Sequence, residues 1–123
     1  VGRVTVRTPH QIPERAPIRI APGDQVVVGG RDTTWPAFVF VSTGEGEGWV
    51  PVRYLNGDEG LALVIASYDT TELPIAAGER LDVLRRDDES GWLWCRNDAG
   101  REGWVPISTV TDNDPGEQER EGK

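Results

Sequence analysis

The sequence predicts an all-β chain built as two small five-stranded β-barrels in tandem, followed by a disordered acidic tail. Three observations lead there. Glycine and proline are dense, 15 and 9 among 123 residues, which suits short strands joined by tight turns and leaves little room for long helices. A unit of about 50 residues occurs twice, as a stacked or tandem repeat would: Gly48-Trp49-Val50-Pro51-Val52 returns 55 positions later as Gly103-Trp104-Val105-Pro106-Ile107. Within each copy the apolar residues alternate at period two, the mark of a strand with one buried face.

The match extends upstream, where the apolar positions coincide at 18/73, 20/75, 26/81 and 28/83. Phe38-Val39-Phe40-Val41 aligns with Trp92-Leu93-Trp94-Cys95. This divides the chain into a first domain at 1–55, a polar linker at 56–60, a second domain at 61–111 and a tail at 112–123. The expected core of the first is Val6, Ile18, Ile20, Val26, Val28, Val39 and Val41. That of the second is Val64, Ala66, Leu73, Ile75, Leu81, Val83, Leu93 and Cys95. Residues 87–91 form a turn cluster, and Asn97-Asp98-Ala99-Gly100 reads as a hairpin turn in which Asn and Asp are able to take positive φ. Pro106 ends its strand because it has no N–H to donate. A barrel of this size is marginal alone, and a five-residue linker keeps its neighbour close, so the two repeats are expected to pack together.

The net charge of −8 and pI near 4.6 speak against a nucleic-acid binder, which needs Lys and Arg to displace phosphate counterions, and against an anionic membrane surface. The longest apolar run, residues 61–66, is far too short to span a bilayer. Residues 1–55 carry six basic and five acidic groups, whereas 61–111 carry five and nine, so the second repeat is the one suited to a basic partner. The single cysteine, Cys95, permits no internal disulfide and fits a reducing, cytoplasmic setting. No enzyme constellation is apparent. His10 is the only histidine and Cys95 alternates into the predicted core, where a thiol acts as a small apolar group. One His and one Cys make neither a nucleophile pair across two repeats nor a zinc site. No cofactor is implied.

Four blocks carry a family resemblance: Ala66-Ser67-Tyr68-Asp69, Ala77-Gly78-Glu79, Gly91-Trp92-Leu93-Trp94-Cys95, and Gly100-Arg101-Glu102-Gly103-Trp104-Val105-Pro106. In order and spacing they resemble a Src-homology 3 (SH3) domain over residues 61–111. Residues 3–55 resemble the bacterial variant branch of that family, through Trp35-Pro36-Ala37-Phe38-Val39-Phe40, Gly48-Trp49-Val50-Pro51 and Arg53-Tyr54-Leu55.

The resemblance implies a non-catalytic module that binds a protein or a proline-rich peptide. Such a peptide lays its prolines into slots between aromatic rings at low entropic cost, while acidic side chains beside the slots fix a flanking Arg or Lys. In the second repeat, Tyr68, Trp92 and Pro106 match the slot positions. Glu72 matches the acidic position of the first long loop, and Asp87 and Asp88 lie on the loop opposite. Trp94 shares the face of Trp92, where it serves a ligand or the other repeat. Thr70 and Thr109 stand where the family usually has tyrosines, and the loop at 69–72 is several residues shorter than usual. In the first repeat, Pro51 and Tyr54 match the end of the groove. Phe38 takes the central tryptophan position, or Trp35 does in an alignment with a larger gap. Thr8 and His10 replace the tyrosines of the first loop. Two further possibilities stand beside peptide binding: recognition of cell-wall glycan or peptide, and a rigid accessory unit with no separate ligand.

Overall fold

The computed structural model describes residues 2–12 and 15–112. Eleven strands follow in chain order: β1 (Gly2–Val6), β2 (Arg19–Ile20), β3 (Gln25–Arg31), β4 (Phe38–Thr43), β5 (Gly46–Pro51), β6 (Gly60–Leu63), β7 (Tyr68–Asp69), β8 (Arg80–Asp87), β9 (Trp92–Arg96), β10 (Glu102–Pro106) and β11 (Val110–Asp112). The only helical pieces among the described residues are 3-10 turns at Val52–Tyr54 and Ile107–Thr109. Each follows a proline held at φ near −60°, Pro51 or Pro106, which presets the turn. No helix of the described residues is long and apolar enough to cross a membrane.

The chain divides into two compact units, but they are not the two repeats. Among the described residues, those within Val1–Pro13 and Glu72–Lys123 form unit 1, and those within Glu14–Thr71 form unit 2. Unit 1 holds a five-stranded antiparallel sheet in the order β10-β9-β8-β1-β11. Unit 2 holds a four-stranded sheet, β5-β4-β3-β6, and the two-stranded pair β2-β7. The first strand of each repeat therefore lies in the barrel of the other. β1 pairs with β8, Val4 facing Leu81, and β6 pairs with β3, Ala62 facing Val26.

The reason lies in the connections that cross. The loop at 69–72 leaves only Thr70 and Thr71 between β7 and Glu72, and Asp69 uses its carboxylate on the Thr71 backbone N–H and hydroxyl. A segment so short does not fold back onto its own repeat, and short hinge loops favour exchange of an element. The two first strands alternate alike, so either presents an apolar inner face. Val4 and Val6 in β1, like Ala62 and Val64 of the second repeat, face inward and are buried. The expected boundaries at 55 and 61 thus give way to crossings near residues 13–14 and 71–72.

Unit 1 closes on Val4, Val6, Leu73, Ile75, Leu81, Val83, Leu93, Cys95 and Val105. In unit 2 the buried apolar side chains include Ile18, Ile20, Val26, Val28, Val39, Val41, Val50 and Val64. All expected core residues are buried except Ala66, which is half-buried. Two details differ from expectation. In the turn before β10, Gly100 alone takes positive φ, because the Asn97 carboxamide accepts the backbone N–H groups of Ala99 and Arg101 and holds the turn without help from a left-handed Asn or Asp. Asp112, placed with the tail from sequence, pairs with Val4 in the β1–β11 ladder. The remainder of the tail, 113–123, lies outside the described residues.

Candidate functional site

Trp92 opens β9 with Pro106 of β10 and Asp87 of β8 as its register partners. Strand alternation puts it on the side of β9 away from Leu93, which is in the core. The residue is nonetheless only 8% exposed. His10 packs against it edge-on, with ring centroids 5.6 Å apart and planes at 75°. His10 is fixed by two backbone hydrogen bonds exchanged with Ile75, each 3.2 Å, and its Nε2 lies 2.8 Å from Glu72 Oε1.

Glu72 is held from behind. The Leu73 N–H donates to the Trp104 carbonyl at 3.1 Å, drawing the 72–73 backbone onto β10. That approach requires Gly103, where a Cβ would come within 2.8 Å of the Glu72 carbonyl carbon and the Leu73 nitrogen. On the other flank, Asp87 organises the loop into β9: its carboxylate accepts the Ser90 N–H, and its carbonyl accepts the Gly91 N–H. Asp88 pairs with Arg86 at 2.8 Å. Unit 1 therefore gathers Trp92, Pro106, Glu72, Asp87 and Asp88, an aromatic-proline pair flanked by carboxylates.

Tyr68 lies outside unit 1. The strand exchange carries it into unit 2, where β7 pairs with β2 and Tyr68 faces Ile20. In unit 1 the corresponding place, opposite Ile75, belongs to His10. Of the expected trio, Tyr68 lies in unit 2 and Trp92 and Pro106 in unit 1. In unit 2, Phe38 faces Pro51 as Trp92 faces Pro106, which places Phe38 rather than Trp35 at the position equivalent to Trp92. Tyr54 and Tyr68 meet edge to face at 5.0 Å, so one ring from each repeat forms the pair. The Arg53 guanidinium lies 4.8 Å over Tyr54. Trp35 is half-buried in the loop before β4, its N–H donating to the Asp32 carboxylate.

Trp94 is half-buried and rests edge-on against Trp104 at 5.2 Å, its indole N–H donating to Glu102 at 3.0 Å. Phe40 and Trp49 repeat that contact in unit 2 at 5.0 Å. Both pairs are satisfied within their own units. Cys95 is fully buried; burial first, then the nearby Asp82 carboxylate, push its thiol up to about 12. It stays neutral at physiological pH and is no nucleophile.

Sequence reasoning missed two members of the site. His10 was legible as a replacement for a tyrosine, but its contacts with Trp92 and Glu72 depend on β1 crossing to the other repeat's barrel. Gly103 was legible only as part of the repeated motif. Its role appears once Glu72 is seen against it.

The model of the SH3 domain family matches residues 66–107. That stretch is an SH3 domain by sequence, and SH3 domains are non-catalytic modules that bind proteins or peptides. In the fold its first residues, through Thr71, lie in unit 2 and the rest in unit 1. Human and mouse SH3 and PX domain-containing protein 2B are each 30% identical to this chain over 121 residues, covering 85% of it. The chain spans about 13% of the length of these curated relatives. Both are mammalian proteins, so they lend no weight to the bacterial branch. No solved structure matches the chain.

Proposed function

We infer that the chain is a non-enzymatic tandem SH3-like module whose principal ligand is a proline-rich peptide with a basic flank, bound by unit 1. The observation that carries this is the register that sets Trp92 directly between Pro106 and Asp87, with Glu72 tied to the Trp92 ring through His10. A peptide proline fits against the Trp92–Pro106 edge, where apolar burial supplies the affinity. The neighbouring Arg or Lys of the ligand faces Glu72 and the 87–89 loop. These carboxylates set orientation and choice of ligand more than total affinity. The second set, Phe38, Pro51, Tyr54 and Tyr68, supports a tandem reading because its pairing repeats that of unit 1.

The test is calorimetric titration of the whole chain with a Pro-rich peptide bearing a terminal Arg, and with the same peptide carrying Glu in its place. The Arg peptide should bind more tightly, and Trp92→Ala should abolish its binding at every salt concentration. Equal affinity for both peptides, or full binding by Trp92→Ala, would overturn the assignment.

A further inference from the structure

The internal repeat supplies its own control for one surface of unit 2. In β6 and just beyond it, alternation buries Ala62 and Val64 and leaves Leu61, Leu63 and Ile65 outward, 68%, 44% and 57% exposed. Val27 of β3, the register partner of Leu61, is 51% exposed. These four side chains form one aliphatic stripe with on the order of 400 Å² of apolar surface, in the range of the largest patch on a monomer, which is often functional.

The same positions in unit 1 are polar. Val4 faces Leu81 as Ala62 faces Val26, so Arg3 corresponds to Leu61, Thr5 to Leu63, Arg7 to Ile65 and Asp82 to Val27. There Arg3 and Asp82 make an ion pair of 3.1 Å. The fold thus tolerates a charged, solvated surface at this location, and the aliphatic version in unit 2 is not a requirement of the barrel.

Three features define what fits. β6 pairs with β3 on one side, and on the other Leu63 bonds Asn56 while the Ile65 N–H donates to the Tyr54 carbonyl. The outer edge is thus taken at Leu63 and Ile65, and the outward side chains offer recognition through the face. From Leu61 to Ile65 the stripe runs roughly 13 Å, the rise of about two and a half helical turns. Exposed carboxylates stand at both ends, Asp24 beside the Leu63 end and Asp58 and Glu59 beside the Leu61 end. Arg31 stands by the Leu61 end, already shared with Asp58 at 3.7 Å. A second copy of the same surface would bring acid against acid, whereas a partner with basic flanks would not.

We propose that the outer face of β3 and β6 docks an amphipathic helix of a protein partner, with aliphatic residues at i, i+4 and i+8 and Lys or Arg at both ends. This surface is separate from the Trp92 site, and its test is independent of peptide binding there. The probe is a synthetic 18-residue helix with leucines at i, i+4 and i+8 and Lys flanks, titrated into the whole chain with methyl NMR detection. A twin with Glu flanks serves as the comparison. The Lys-flanked helix should shift the Val27, Leu61, Leu63 and Ile65 methyls saturably and bind at least about tenfold more tightly than its twin at low salt, an advantage that screening removes at high salt. The double variant Val27→Asp with Leu61→Arg, residues that the equivalent strands of unit 1 already carry, should abolish those shifts while the Trp92 signal stays unchanged. Absence of the shifts, equal binding of both helices, or a concentration-dependent dimer in sedimentation that the double variant dissolves would each overturn the proposal.

Discussion

Replacing Val6 by alanine should loosen the barrel that contains Cys95, although the two residues belong to different sequence repeats. Val6 is 1% exposed and packs in the same cluster as Leu81, Leu93 and Cys95. Removing its two methyl groups forfeits roughly 1.6 kcal/mol of transfer free energy, and the residual cavity raises the loss to about 2–3 kcal/mol. At tenfold per 1.4 kcal/mol, the open population of unit 1 rises on the order of 30-fold or more. The fully buried thiol of Cys95 reports that population, because a thiol reagent reaches it only through opening of the barrel. The measurement is the rate of native-state labelling at neutral pH for the wild type, Val6→Ala and Val64→Ala. Val64 is 2% exposed and lies in unit 2, so Val64→Ala should change the rate far less than Val6→Ala. The opposite order, with Val64→Ala fast and Val6→Ala near wild type, is what two barrels bounded at residues 55 and 61 require, and it would refute the strand exchange.

Other outcomes follow from the same geometry. The Cys95 thiol, raised to about 12 in the fold from an ordinary value of 9.0, loses its proton first in the unfolded chain. Stability should be unaffected by this group below pH 9 and fall between pH 9 and 12, at up to about 1.4 kcal/mol per pH unit; urea unfolding at pH 8 and 10 should show a smaller drop for Cys95→Val than for the wild type. Gly103→Ala should push the Glu72–Leu73 backbone off β10, costing about 1–3 kcal/mol as overpacking does, and weaken binding of an Arg-flanked peptide in calorimetry. His10→Ala releases Glu72 from its hydrogen bond, so affinity for that peptide should rise about twofold to fivefold in the same calorimetry, the scale of one net hydrogen bond.

Much of the local structure was legible in sequence because it depends on near neighbours. The alternation of Leu81, Val83, Leu93 and Cys95, the prolines that end β5 and β10, and the repeat at offset 55 together specify β-barrels and most of their buried residues. The partner of each first strand was not legible. Val4-Thr5-Val6 and Ala62-Leu63-Val64 both turn apolar side chains inward at their first and third positions, so the alternation of either suits the inner face of either barrel. What decides between them is a loop two residues long between β7 and Glu72, a steric matter that no periodicity records. The site inherits that limit. Trp92, Pro106, Glu72 and Asp87 lie within one stretch of chain and were found together. Tyr68 and His10 each follow a strand that crosses over, so the sequence order alone does not say which unit either one enters. The aliphatic outer face of β6 was visible as a run of apolar letters at 61–66, but only the alternating exposure separates its buried half from its outward half.

The most direct test of the functional account is the indole N–H signal of Trp92 during titration of the whole, isotopically labelled chain with an Arg-flanked Pro-rich peptide. The account requires that this signal move first and saturably, ahead of Trp35 and Trp49 in unit 2, and that the shift persist when salt is raised while the contribution of Glu72 and Asp87 fades. A Trp92 signal that stays fixed at millimolar peptide, or one that moves only after the tryptophans of unit 2, would contradict it.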